Sequence, residues 1–256
     1  MINNRFTFII TLFSIVILLS SCAKEGPTGP TGPAGPGYTG SISGHVSLYD
    51  KYGNKVLAGL DSTNITLTGI TVASLTSTAT DAAGAYNFGN VYTGDYSLSA
   101  THVNYGATLL NSFPFLLGAL NKDIRLSAIP DSFVTSLSVT HYATSLYDSL
   151  VINVIPDPMP RNCIIFLNNT AAVNNTETNY LLSFVRGIPA NSSSVSFLLS
   201  KEQLTNAGFK SGLSELYLAA YSYVVNDGSV YEDLATGKNV YNAVNANPVI
   251  DSVIAP

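Results

Sequence analysis

The sequence predicts an all-β chain: two tandem β-sandwich domains behind a short, Gly/Pro-rich amino-terminal segment. Three observations carry this. Apolar residues make up 46% of the 256-residue chain, enough for a sizeable core, while charged residues make up only 11%, well below the usual quarter. The polarity comes from Ser, Thr and Asn, and Tyr, Val, Ile and Thr abound, a composition that suits pleated, half-buried surfaces. From Gly40 onward apolar residues recur with period two, broken by Gly, Asp, Asn and Pro.

The first residues are of a different kind. Arg5 is the only charge before Cys22, and Phe6 to Leu19 is a mostly apolar run that ends in Leu19-Ser20-Ser21-Cys22. The run is too short to span a bilayer comfortably and has the form of a signal-peptide core. Its end resembles the lipobox of bacterial lipoproteins, in which the cysteine thiol carries the diacylglyceryl group. The resemblance implies a signal peptide over residues 1–21 and lipidation at Cys22. It also implies an anchored chain whose partner is a membrane, since more than one acyl chain holds a protein stably. Cleavage would take the charge from −5 to −6 and leave Cys163 as the remaining thiol. Ala23 rather than Asp after the cysteine implies, by the same resemblance, an outer-membrane location on the periplasmic or cell-surface side.

Residues 22–39 form the tether. Glycine holds the collagen register at Gly26, Gly29, Gly32 and Gly35, and Tyr38 breaks it. Four triplets are few for a triple helix, which needs glycine at every third place along its axis. The favoured reading is a semi-rigid polyproline spacer reaching at most roughly 50 Å at about 3.1 Å per residue.

The first sandwich is placed at residues 40–129. Ile42, Gly44, Val46 and Leu48 share one face of a strand, and Ser41, Ser43, His45 and Ser47 the other. Asp50 to Asn54 is a turn. A strand holds Ile65 and Leu67. Asp81 to Gly84 is a turn in which Asp bonds local backbone and Gly takes positive φ. Tyr86 and Phe88 point into a core, Gly94 turns the chain, and Tyr96 and Leu98 return. These pieces, with the opening Gly40 to Val46 and the closing Asn121 to Leu126, resemble the carboxypeptidase regulatory-like family, a transthyretin-like sandwich. Two departures are Asn104-Tyr105, where the family has Gly-Tyr, and the loop Leu60 to Asn64. The resemblance implies a non-catalytic module related in fold to starch-binding domains, so a glycan is one partner it allows.

The second sandwich is placed at residues 130–256, with strands at 133–139, 149–155, 162–167, 180–185, 195–199, 215–225 and 239–244. Pro156, Pro158 and Pro160 force a loop. Ser200 to Gln203 has the form of a capping box for a short helix stopped by Gly208. Asn226-Asp227-Gly228 reads as a hairpin turn. Tyr217 to Gly228 is similar to the penultimate strand and hairpin of fibronectin type III domains, which implies an Ig/fibronectin-like second domain.

No motif for catalysis, phosphate, dinucleotide, calcium or zinc binding occurs, and His45, His102 and His141 lack ligand spacing. No catalytic residue, metal or cofactor is therefore expected, and the absence of a basic block argues against nucleic acid. Cys163 reads as a buried, inert thiol. Tyr217, Tyr221 and Tyr223 stripe one strand face: either core, the favoured reading, or a stacking platform for sugar rings. Phe113 to Leu117 is the most apolar edge segment, expected to pack under the domain junction. Ser62, Ser149 and Ser252 each sit in an Asp–Ser/Thr–apolar type of triplet. These resemble the sites that certain Gram-negative bacteria O-glycosylate, against chance in a Ser/Thr-rich chain. The function expected is a non-catalytic envelope lipoprotein, an adhesin or an accessory subunit of a surface complex. The alternative is a carbohydrate-binding module of a glycan-uptake system. Nothing sets the oligomeric state, and a monomer is the expectation.

Overall fold

A computed structural model describes residues 39–71, 74–140, 142, 145–210 and 215–254. Residues 1–21, expected as a signal peptide, Cys22, the Gly/Pro-rich segment expected as a tether and His141 lie outside the described residues. The fold is all-β, with one short helix among the described residues.

The first sandwich begins with β1 (Thr39–Tyr49), whose apolar face is buried as its alternation predicts. β2 (Lys55–Val56) and β5 (Ala85–Tyr92) flank it on one side. β8 (Ala119–Asn121) and β9 (Ile124–Ser127) run parallel to it on the other. The facing sheet has the order β4 (Leu75–Ala79), β3 (Asn64–Gly69), β6 (Gly94–Thr101), β7 (Thr108–Phe115). Ile42, Val46 and Leu48 meet Ile65, Leu67, Tyr96 and Leu98 between the sheets, each apolar side chain contributing about 1.5–3 kcal/mol on burial. The turns follow their chemistry. Asp81 Oδ1 accepts from the amides of Ala83 and Ala85, and Gly84 has φ 79°. Asn104 has φ 66°, and Asn is one of the few residues that tolerates the left-handed region.

The second sandwich pairs β10 (Val134–Thr140), β11 (Tyr147–Val154) and β14 (Ser194–Ser200) in one sheet. The other has the order β13 (Leu182–Ile188), β12 (Arg161–Asn168), β15 (Glu215–Tyr223), β18 (Val249–Ile254). Helix α1 (Lys201–Asn206) is capped by Ser200, which accepts from the Gln203 amide, and Gly208 follows with φ 95°. β16 (Tyr231–Asp233) and β17 (Lys238–Val240) form a separate hairpin. One core lies between the two sheets, around Leu150, Ile152, Ile165, Leu167 and Leu218. A further core lies on the outer face of β12 and β15, where Val173, Tyr180, Ala243 and Val244 cover Ile164, Phe166 and Tyr221. That cover explains why Cys163 to Leu167 is buried on both faces.

Four expectations are corrected. The strand expected at 239–244 is only β17 plus one bridge, Val244 to Tyr223, and the outer neighbour of β15 is β18, where no strand is expected. The strand expected at 180–185 is β13, displaced to Leu182–Ile188, because Tyr180 turns into the outer core. Asn226-Asp227-Gly228 makes no hairpin with β15; its backbone is drawn to the first sandwich instead. Phe113 and Phe115 fill the first core rather than the junction, while Leu116 and Leu117 face solvent.

Candidate functional site

The described residues bring no three metal-ligating side chains together. His45 is exposed beside Asp123, and His102 stacks edge-on against Tyr105 at 4.9 Å. Cys163 is buried, which pushes its thiol up to about 12 and leaves it unreactive.

The most elaborate arrangement of side chains is the junction between the sandwiches. β9 ends at Ser127, which is fully buried. Its amide donates to Ser229 Oγ at 2.9 Å, and Ser229 Oγ donates to the Gly106 carbonyl at 2.9 Å. In return the Gly228 amide donates to Ser127 Oγ at 2.8 Å. Two hydroxyls thus satisfy three buried backbone groups across the boundary, groups that are expensive to leave unpaired. The backbones meet closely. A Cβ on Gly106 would stand 2.7 Å from the Ala243 nitrogen, and one on Gly228 2.7 Å from Arg125 Cβ, so only glycine fits at either place.

Around this clasp Asn242 donates to the Ala107 carbonyl at 2.9 Å, and Asn111 to that of Glu232. The connecting segment is itself bonded on both sides. Ala128 and Ile129 donate to Tyr49 and Asn104 of the first sandwich. The Phe133 and Val134 amides share Ser222 Oγ of the second. On the surface Lys51 pairs with Asp131 at 2.6 Å, which holds the Asp131 carboxyl below its usual value. Tyr52 donates to Asp157 at 3.0 Å. Asp157 also faces Arg161, whose guanidinium lies 3.9 Å from the centre of the Phe133 ring.

Asp227 sits inside this junction. Its Oδ1 accepts from the Ser229 amide at 2.6 Å. Burial raises its carboxyl above the ordinary range against that bond. The Tyr223 phenol beside it is pushed far up, first by burial and then by the Asp227 charge.

The tyrosine stripe divides. Tyr221 and Tyr223 are buried in the outer core with Phe166, Tyr180 and Tyr241, in ring contacts of 5.1–5.9 Å. They are therefore core, not a platform open to a sugar. Tyr217 is half-buried and donates to Glu215 at 2.7 Å. The serines divide too. Ser62 is exposed in a turn with φ 66°. Ser149 lies inside β11, paired to Thr140 and Leu198 on either side, with Asp148 and Leu150 buried around it; the folded chain withholds that triplet from an enzyme cleft. Ser252 is exposed on β18, a sheet edge rather than a tail, and its hydroxyl meets Glu215 at 3.1 Å.

Two cavities stand out. One of 170 Å³ opens between the sheets of the first sandwich, lined by Ser74, Thr76, Phe88, Asn90 and Tyr92 among others, with no charged side chain. One of 350 Å³ lies beside Arg161, Asn162, Ile188 and Val225 and is mostly apolar. The sequence reading missed the junction, whose partners are about a hundred residues apart; the one available signal was a pair of isolated glycines, Gly106 and Gly228, next to small polar residues.

No family model matches the chain, and no curated protein matches it. Solved structures do. A protein from Bacteroides uniformis, named as a candidate carbohydrate binding protein, is 14% identical over 83% of this chain and 99% of its own, with a TM-score of 0.27. A DUF3823 family protein from the same species is 13% identical over 86% and 100%, at 0.28. The major pilin SpaD of Corynebacterium diphtheriae is 10% identical over 84% and 65%, at 0.27. These values are too low for a function to pass from any of them to this chain.

Proposed function

We propose that the chain is a lipid-anchored cell-envelope protein that carries a stiff, non-catalytic two-sandwich body, as an adhesin or as a subunit of a surface complex. The junction carries this reading. Enzymes that close over a substrate keep their domain boundaries mobile. Here two hydroxyls, two close glycine contacts and a doubly bonded connector tie the sandwiches into one body. A fixed geometry serves presentation of a surface and transmission of load. The lipobox-like Leu19 to Cys22 supplies the anchor, the Gly/Pro spacer links it to the body, and Ala23 favours the outer membrane. The carboxypeptidase regulatory-like and fibronectin-like resemblances support the same reading.

The alternative, carbohydrate binding, loses Tyr221 and Tyr223 as a platform. It keeps the uncharged cavity between Phe88 and Tyr92. O-glycosylation is proposed for Ser62 and Ser252, the two exposed acceptors.

Cys22→Ala tests the anchor. The variant should leave the membrane fraction after a carbonate wash, and a variant that stays overturns the reading. Intact mass of protein from its native host should show acyl chains, with hexose-type steps lost one at a time in Ser62→Ala and Ser252→Ala.

A further inference from the structure

We infer that the end of the first sandwich at which β1 begins is a lipid-contacting surface, docked on the bilayer that holds the anchor. The inference rests on the lipoprotein reading.

Eight large apolar side chains are exposed among the described residues of the first sandwich, residues 39–129, and five share one end. Register places them there. Tyr92 pairs with Thr39 at the start of β1, Phe115 pairs with Gly94, and Leu75 pairs with Thr68 beside Gly69, which itself pairs with Tyr96. The turns between these strands therefore lie together. They carry Ile70, Leu75, Tyr92, Leu116 and Leu117, exposed by 55%, 72%, 57%, 78% and 58%. Their segments, residues 66–78, 88–95 and 113–121, contain one charged residue, Asp95. The second sandwich contacts the opposite end, so nothing among the described residues covers these side chains.

The chain identifies what does. Thr39 stands at this same end, and only 16 residues lie between it and Cys22. Even as extended polyproline, that spacer keeps this end within roughly 50 Å of the bilayer at about 3.1 Å per residue, and a spacer lying along the bilayer surface brings the leucines to the interface. Leucines and a tyrosine on turn tips are side chains that settle at the boundary between headgroups and acyl chains. These turns carry no Lys or Arg, and Lys122 beside them holds its Nζ 4.7 Å from the centre of the Phe113 ring, so apolar contact outweighs attraction to anionic headgroups and salt changes it little.

The chain has no tryptophan, so a single one reports its own surroundings. Leu117→Trp and, as a control at the opposite end, Leu57→Trp are made in the full lipidated chain. Each is placed in phosphatidylethanolamine–phosphatidylglycerol vesicles with or without acyl-brominated lipid. At the depth of about 5–10 Å taken by interfacial side chains, Leu117→Trp should lose roughly half or more of its emission to bromine, unchanged in high salt, while Leu57→Trp keeps its emission. Circular dichroism checks the fold, and Leu116→Trp repeats the measurement. If the protein floats with vesicles but both probes are quenched alike or not at all, the docked end is overturned and the anchor stands. If Leu117→Trp shifts to the blue only as protein concentration rises, the surface belongs to a second copy and the inference falls. If the protein does not float, anchor and docked end fall together.

Discussion

Where β9 finishes, at one end of the first sandwich, backbone amides and carbonyls of the turns meet partners from the second sandwich. Ser127 bonds Ser229 and Gly228, and Ser229 bonds Gly106. Where β1 starts, at the other end, the turns present leucine and tyrosine outward. One sheet pair supports both ends, so the contrast lies in what each end meets. Buried polar groups must be paired, and a boundary built from them fixes one geometry. Exposed leucines specify no partner by direction; they lower their free energy against any apolar phase. The first end is made for one permanent neighbour inside the chain, the second for a neighbour outside it.

The largest effect should come from Ser229→Ala. It removes the acceptor of the Ser127 amide and the donor to the Gly106 carbonyl, both buried, at roughly 1–3 kcal/mol each. If the sandwiches depend on this clasp to unfold together, calorimetry should show one transition in the wild type and two in the variant. A single transition with an unchanged midpoint would mean the junction does not couple them.

Asp227→Asn should act in the opposite direction. Burial raises the Asp227 carboxyl above 3.8, so the folded chain holds that proton more tightly than the unfolded chain does. Its contribution is complete below 3.8 and is lost as pH rises through the raised value. The amide keeps an oxygen for the Ser229 amide without the charge. The variant should therefore match the wild type in acid and exceed it at neutral pH, by about 2–4 °C for each kcal/mol recovered. Asp131 and Asp157, whose carboxyls are lowered, stabilise in the reverse sense and lose their effect as pH falls below 3.8. The difference between variant and wild type isolates Asp227 from them.

Lys51→Ala should cost less, about 0.2–1 kcal/mol, because Asp131 remains mostly in water and the pair is exposed. Raised salt should shrink that difference. A loss as large as that of Ser229→Ala would move the weight of the junction from its buried hydroxyls to its rim.

How much of this was legible in the sequence differs by region. Strand β1 was readable because its alternation is local and one face is wet. The turn at Asp81 and the cap at Ser200 were readable because their hydrogen bonds close within a few residues. β12 and β15 gave no alternation, since the outer core covers their second face, and the tyrosine stripe therefore favoured core but left a surface platform open. β18 was missed because a short apolar segment near a terminus looks the same free or paired. Asp227-Gly228 has the composition of a hairpin turn, yet the Gly228 amide is claimed by Ser127 Oγ, about a hundred residues away. No single-sequence pattern carries that distance. Phe113 to Leu117 was recognised as apolar and then assigned to the wrong end: alternate phenylalanines of one edge strand entered the core, and the leucines ran past it.

The smallest effect on folding should come from Leu116→Ser with Leu117→Ser, and it sharpens the contrast most. An ordinary apolar substitution in a fold is costly when it empties a core, but these two side chains are 78% and 58% exposed. Their removal should leave stability within about 0.5 kcal/mol of the wild type, as for surface positions generally, and it should lower the exposed apolar area. Thermal unfolding of the double variant beside Ser229→Ala measures both ends on one scale. A destabilisation above about 1 kcal/mol would show that the leucines close the first core, and the end would then need no outside neighbour. An unchanged midpoint leaves two leucines that folding does not use, on turns beside the start of β1, free for a contact outside the chain.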